Sequence, residues 1–185
     1  MHPDIDQIFS DIRANEAALA EITRGLSTEE LLWQPKPGAW SILQCVDHLA
    51  MAHGSYLGAM QPVVKAGKAA GQLRRGPVQP SLPGRLFLKR LEPPITGKVP
   101  APKSILPGSR LDPESVLASL SRAHDEIRKL LQEAAELDCN AIRFRNPLIR
   151  ALRVRVGTAF LILNAHERRH LWQADNVRKA MRASA

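Results

Sequence analysis

Apolar residues recur at three- and four-residue intervals along four long stretches of this chain, and none of these stretches alternates with the period of two that a half-buried strand needs. The first, residues 4–26, sets Ile5, Ile8, Phe9, Ile12, Leu19, Ile22 and Leu26 on one face. Its seam is interrupted at Asn15 and Glu16, which read as a solvated break, the alternative being that they reach toward a partner. Ser27, followed by Glu29 and Glu30, resembles a helix cap with acids in the first turn and predicts a short further helix. The second long stretch begins at Ser41, which can form a capping box with Gln44, and carries Ile42, Cys45, Val46, Leu49, Ala52 and Tyr56 inward. Pro62 lacks an amide proton and is expected to kink or end it. The third starts at Asp112 with Pro113 at the first helical position, and its seam is Val116, Leu120, Ala123, Ile127, Leu130, Ala134 and Leu137. The fourth runs from about Val156 to Met181. Four such helices predict an all-α four-helix bundle in which residues 1–185 form a single domain.

Between the second and third helices, residues 71–111 contain eight prolines, too many for a sustained helix. Only the patch from Leu86 to Leu91 is amphipathic enough to dock on the body. This long Pro-rich segment reads as an insertion, and uninterrupted loops of such length are often functional. It also concentrates charge. Residues 62–111 hold ten Lys or Arg against one acid, Glu92, while the remainder has 16 basic and 17 acidic residues, so the net charge of +8 belongs to this segment. One functional reading is therefore a non-enzymatic binding module whose basic 62–111 segment contacts nucleic acid or an anionic surface. Nucleic acid is disfavoured, because Phe87 is the segment's one aromatic and no helix-turn-helix or zinc-finger spacing is visible. No apolar run approaches the ~20 residues that span a bilayer, so no membrane partner is expected. The first residues lack the basic and apolar regions of a signal peptide. With only Cys45 and Cys139 in the chain, a cytoplasmic, reducing setting is the expectation.

The fourth helix carries His166-Glu167-Arg168-Arg169-His170. Spacing of four sets both imidazoles on one helix face, about 40° apart. That face shares a seam with Ala159, Leu163 and Val177, so the rings should point inward, where two neutral imidazoles can hold a divalent metal. Position alone leaves the third ligand open between His48, at the edge of the second seam, and His124, beside the third. His53 lies about 140° around the helix from His48 and is not expected to share its site. Glu167 and Asp47 fall off the ligand faces and read as surface or outer-sphere groups. Gln173 could bond near the site or hold the helix against a neighbour. Cys45 reads as a small core residue, the alternatives being a fourth ligand or a reactive thiol. The five residues also match the H-E-x-x-H of zincin proteases. A protease is not expected, because Gln173 and Asn176 stand where a metzincin needs Gly and His. Arg143, Arg145, Arg150, Arg153 and Arg155 read as a solvated connection, the alternative being an anion-binding mouth.

Two separated motifs, Gly38-Ala39-Trp40-Ser41-Ile42 leading to His48-Leu49, and His166-x-x-x-His170-x-x-Gln173, together resemble the DinB/YfiT-like superfamily. The resemblance implies a four-helix bundle with a metal held by His48, His166 and His170. It further implies Zn, Ni or Fe as the ion and a metal-dependent enzyme, a hydrolase or a thiol-dependent S-transferase acting on a small-molecule substrate with a low-molecular-weight thiol. A second copy of the chain, in a homodimer, is an expected partner on the same ground. Three protein ligands would leave an open coordination position, as in catalytic zinc sites.

Overall fold

The computed structural model describes residues 2–95, 97 and 100–184; Lys98, one of the basic residues counted above, lies outside them. Six α-helices are present among the described residues: α1 (Pro3–Thr23), α2 (Thr28–Leu32), α3 (Ile42–Ala69), α4 (Leu82–Leu91), α5 (Pro113–Ala134) and α6 (Val156–Ser184). The long ones, α1, α3, α5 and α6, form the four-helix bundle, with α3 packed on α5 and α6, and α1 on α6. None of the described helices is long and apolar enough to cross a membrane.

The helix starts follow local chemistry. Ser41 Oγ accepts the Gln44 amide while the Gln44 side chain accepts the Ser41 amide, closing the expected capping box on α3. Ser27 and Glu30 do the same for α2, and Asp112 caps α5 with Pro113 behind it. Each such cap contributes about 1 kcal/mol and fixes where the helix begins, hence which residues face inward.

Pro62 does not end the second long helix, which continues to Ala69. The carbonyl that loses its amide partner belongs to Gly58, and both residues lie on the exposed face. Solvent can satisfy that oxygen there, so the proline costs little of the helix's packing. The Pro-rich segment is also more ordered than its prolines predict. Helix α4 forms within it because Pro83 falls in the first turn, where its missing amide has no intrahelical role, and Ser81 caps the start. A 3-10 turn, Lys103–Ile105, follows. The amphipathic patch docks as expected: α4 packs on α6, and Glu92 accepts from Arg168 Nε at 2.9 Å. At the segment's other end, Arg74 binds both carboxylate oxygens of Asp4 at 2.7 and 2.8 Å.

Arg143–Arg145 and Arg153–Arg155 form a two-stranded antiparallel ribbon, β1 and β2, with Phe144 opposite Val154. Helix α6 leaves β2 directly through Gly157. A Cβ there would lie 2.8 Å from Val78 Cγ1 and 3.2 Å from Cys139 Cβ, so only glycine allows the close approach.

The core divides into two apolar clusters. One contains Ile5, Ile8, Ile12, Tyr56, Met60, Ile127 and Phe160. The other contains Ile22, Leu43, Leu49, Leu120, Leu171 and Val177. Among the buried polar residues, Asn15 from α1, His53 from α3, His124 from α5 and Glu167 from α6 lie near one another, one from each long helix. At Asn15 the break in the first seam is therefore not solvated, while Glu16 next to it stays half-buried. Asn15 is buried because it has partners to meet, donating to the Asn164 carbonyl at 3.3 Å and to Glu167 Oε2 at 3.4 Å.

Candidate metal centre

His48 projects from the first turns of α3 and is 2% exposed; His166 and His170 project from α6 toward it. One ring nitrogen from each of the three lies within 4.8 Å of the others. His48 Nε2 and His166 Nε2 are 3.3 Å apart. Two ligand atoms each ~2.0–2.1 Å from one tetrahedral ion would be separated by about 3.3 Å, so this pair already has the spacing that coordination requires. The ring planes of all three pairs stand edge-on, at 61° to 79°.

The outward nitrogens fix the tautomers. His48 Nδ1 lies 2.7 Å from the Ile105 carbonyl, which can only accept, so Nδ1 carries the proton and Nε2 presents a lone pair to the cluster. His170 Nδ1 donates to Gln173 Oε1 at 3.0 Å, with the same consequence for its Nε2. A ligand histidine whose second nitrogen is engaged in this way is oriented and made more basic. Burial holds all three imidazoles neutral: His48 is lowered from the ordinary histidine value, His166 is lowered well below it, and His170 is lowered to about 2, helped by its two histidine neighbours. Neutral imidazole is the form that binds a metal.

The centre has walls and an opening. The Trp40 ring lies 4.9 Å from His48 and 5.7 Å from His170, centroid to centroid, covering one side with apolar surface. His166 is half-buried, so the cluster is least covered on its side. Arg169, half-buried beside it, adds a positive charge that disfavours protonation of His166 and His170. It is tethered by donation to the Arg90 carbonyl at 3.2 Å.

Part of this arrangement comes from the Pro-rich segment. Besides the Ile105 carbonyl, the Gly108 amide donates to Asp47 at 2.9 Å and the Gly108 carbonyl accepts from Gln44 at 3.2 Å. Residues 105–108 are thereby strapped over the first turns of α3. Sequence reasoning missed this. A backbone carbonyl has no sequence signature, although the apolar Ile105-Leu106 pair inside a basic, Pro-rich run was a sign of docking.

Other candidates fall elsewhere. Cys45 belongs to an apolar cluster, burial pushes its thiol up to about 12, and its sulfur is not among the ligand atoms that meet in the three-histidine cluster. Glu167 is not at the surface: it is 1% exposed and turned toward His124, not toward the three-histidine cluster. It therefore does not occupy the place of a zincin general base. His124 is absent from the three-histidine cluster and instead faces Glu167 at 2.9 Å. Arg143 and Arg153 line a cavity of about 450 Å³ with Val63 and Gly67 of α3. Fifteen or more helical residues, about 22 Å along the axis, separate that wall from His48, so these arginines do not form the mouth of the centre.

Residues 11–174 match the DinB superfamily, and the chain belongs to it. No curated protein matches the chain. Among solved structures it is similar to TT2238, described as a four-helix bundle protein, with 22% identity over 97% of this chain and 98% of that one and a TM-score of 0.53. It is also similar to YfiT from Bacillus subtilis, described as a probable metal-dependent hydrolase with an unusual four-helix bundle topology. There the identity is 17%, over 98% of this chain and 90% of that one, with a TM-score of 0.56. At these identities the likeness establishes the bundle fold.

Proposed function

We propose that this protein is a metal-dependent enzyme of hydrolytic type, with Zn, Ni or Fe held by His48, His166 and His170. The observation that carries the reading is the pair of outward hydrogen bonds, to Ile105 and Gln173, which aim the lone pairs of His48 and His170 at a common point. The description of YfiT as a probable metal-dependent hydrolase supports it. A divalent ion held by these three residues would supply Lewis-acid chemistry that acidifies water. The chain's own groups do the rest. Ile105 and Gln173 hold the ligand rings, Trp40 excludes solvent from one side, and Arg169 gives a small substrate's anionic group a counter-charge at the open side. Because both cysteines are buried with thiols pushed up, to about 12 for Cys45 and about 11 for Cys139, a thiol reaction at this centre would need an external thiol.

The test is metal content by mass spectrometry, together with hydrolysis of a panel of small esters, amides and anionic substrates. The wild-type chain is compared with a His48→Ala variant. The expected result is that the variant holds one equivalent fewer and loses a chelator-sensitive hydrolysis. Equal metal content in the two proteins would overturn the reading, and turnover only with an added low-molecular-weight thiol would replace hydrolase by transferase.

A further inference from the structure

A second set of metal-ligating groups lies in the polar layer of the core, apart from the three-histidine centre. His53, His124 and Glu167 each offer an atom within 4.8 Å of the other two, and all three residues are buried. They come from α3, α5 and α6, so three elements converge on one point.

One of the three, His53, bears the mark of an unfilled valence. His53 is 1% exposed, and neither of its ring nitrogens has a hydrogen-bonding partner among the described residues. The Leu163 carbonyl is near the ring but outside hydrogen-bonding geometry. A buried imidazole left so costs free energy that a structure normally recovers with a partner. His53 Nε2 lies 3.9 Å from Glu167 Oε2, too far for a hydrogen bond but bridgeable by an ion after a shift of about half an ångström. His124 Nε2 lies 2.9 Å from Glu167 Oε1, and on the other side of the ring Nδ1 lies 3.3 Å from Glu16 Oε1.

Outer partners of the kind that metal ligands have are already in place. A Glu16 oxygen lies 3.3 Å from His124 Nδ1, near where a carboxylate stands behind a ligand histidine, and Glu16 is itself held by Arg128 at 2.6 Å. Asn15 donates to Glu167 Oε2. An entry path exists too: a cleft of about 270 Å³ between α1 and α5 is lined by Glu16 and His124 together with apolar Leu19 and Leu117. It brings solvent to the back of the His124 ring.

We propose that His53, His124 and Glu167 form a second divalent-cation site, distinct from the His48, His166 and His170 centre and adjacent to it along α3 and α6. Two imidazoles and one carboxylate suit Zn or Fe(II). The carboxylate and the nearby Glu16 balance the ion's charge inside the core.

The test is stoichiometry on the full chain, stripped with chelator, re-equilibrated with Zn²⁺ alone, and measured by mass spectrometry of metal and protein. The expected result is two equivalents in the wild type, one in His53→Ala and in the closer-sized His53→Gln, and one in His48→Ala. Circular dichroism checks that each variant is folded. Zinc-edge anomalous scattering from wild-type crystals gives a readout that needs no variant, and a second peak between His53, His124 and Glu167 is expected. A wild type holding one equivalent that His48→Ala loses and His53→Ala keeps would overturn the proposal, leaving a proton between His124 and Glu167. One equivalent lost in His53→Ala and kept in His48→Ala would instead sustain this site and overturn the three-histidine centre.

Discussion

The Nδ1 of His48 donates to the backbone carbonyl of Ile105 at 2.7 Å, across 57 residues of sequence. A candidate metal ligand on the second long helix is thus oriented by the middle of a basic, Pro-rich segment. The segment is a component of the centre, not an appendage to the bundle.

Loosening the outer hydrogen bonds should weaken metal binding without abolishing it. Asp47 holds the strap through the Gly108 amide, and Gln173 holds His170. Asp47→Ala and Gln173→Ala are each expected to lower affinity at the three-histidine centre by about 10- to 100-fold, the usual cost of losing an outer-sphere partner. Competition with a chromophoric chelator measures this. Unchanged affinity in both variants would mean that the strap and Gln173 do not orient the ligands.

The metal-free protein should lose stability as pH falls below about 6.5. Burial lowers His53 to about 3 and His170 to about 2, and lowers His48 and His166 as well. In the unfolded chain these rings take up protons near their ordinary value, so below it the unfolded state binds more protons and stability falls with pH. The loss begins near pH 6.5 and continues until the folded-state values are reached. It amounts to about 1.4 kcal/mol per pH unit for each ring held neutral. Above about pH 7 these groups contribute no pH dependence. Urea melts of chelator-treated protein at pH 7.5 and 5.5 check the sign, and equal midpoints would refute it.

Arg168 ties α4 to α6 through Glu92 and also reaches Asp11 on α1 at 3.5 Å. Glu92→Ala should speed amide exchange in Leu82–Leu91 while changing global stability by no more than about 1 kcal/mol, as expected of a partly exposed pair. Exchange in α4 unchanged from wild type would show that its apolar contacts alone hold it.

The bundle was legible because helix periodicity and caps are local. The boxes at Ser27 and Ser41 and the Asp112-Pro113 start all fall where side-chain chemistry puts them. Pro62 and Pro83 both sit within helices for one reason: a proline's cost depends on whether its missing amide would have had a partner, and that depends on exposure and on position within a helix. His48 was separable from His124 by family motif, not by spacing, since both sit at the edge of an apolar seam. The polar layer left a trace that was read one residue at a time. Asn15, His53, His124 and Glu167 each interrupt a different apolar stretch, and only their common level in the bundle shows them to be one set.

That common level also governs alignment. Helices with uniformly apolar faces can slide past one another by a turn, about 5.4 Å, and still bury similar area. Here a slip of α1 would part Glu167 from Asn15, a slip of α5 would part it from His124, and a slip of α6 would part it from both, stranding a buried carboxylate. Asn15, His124 and Glu167 therefore act as a vernier mark for the vertical setting of α1, α5 and α6, and His166 and His170 beside them take their level from it.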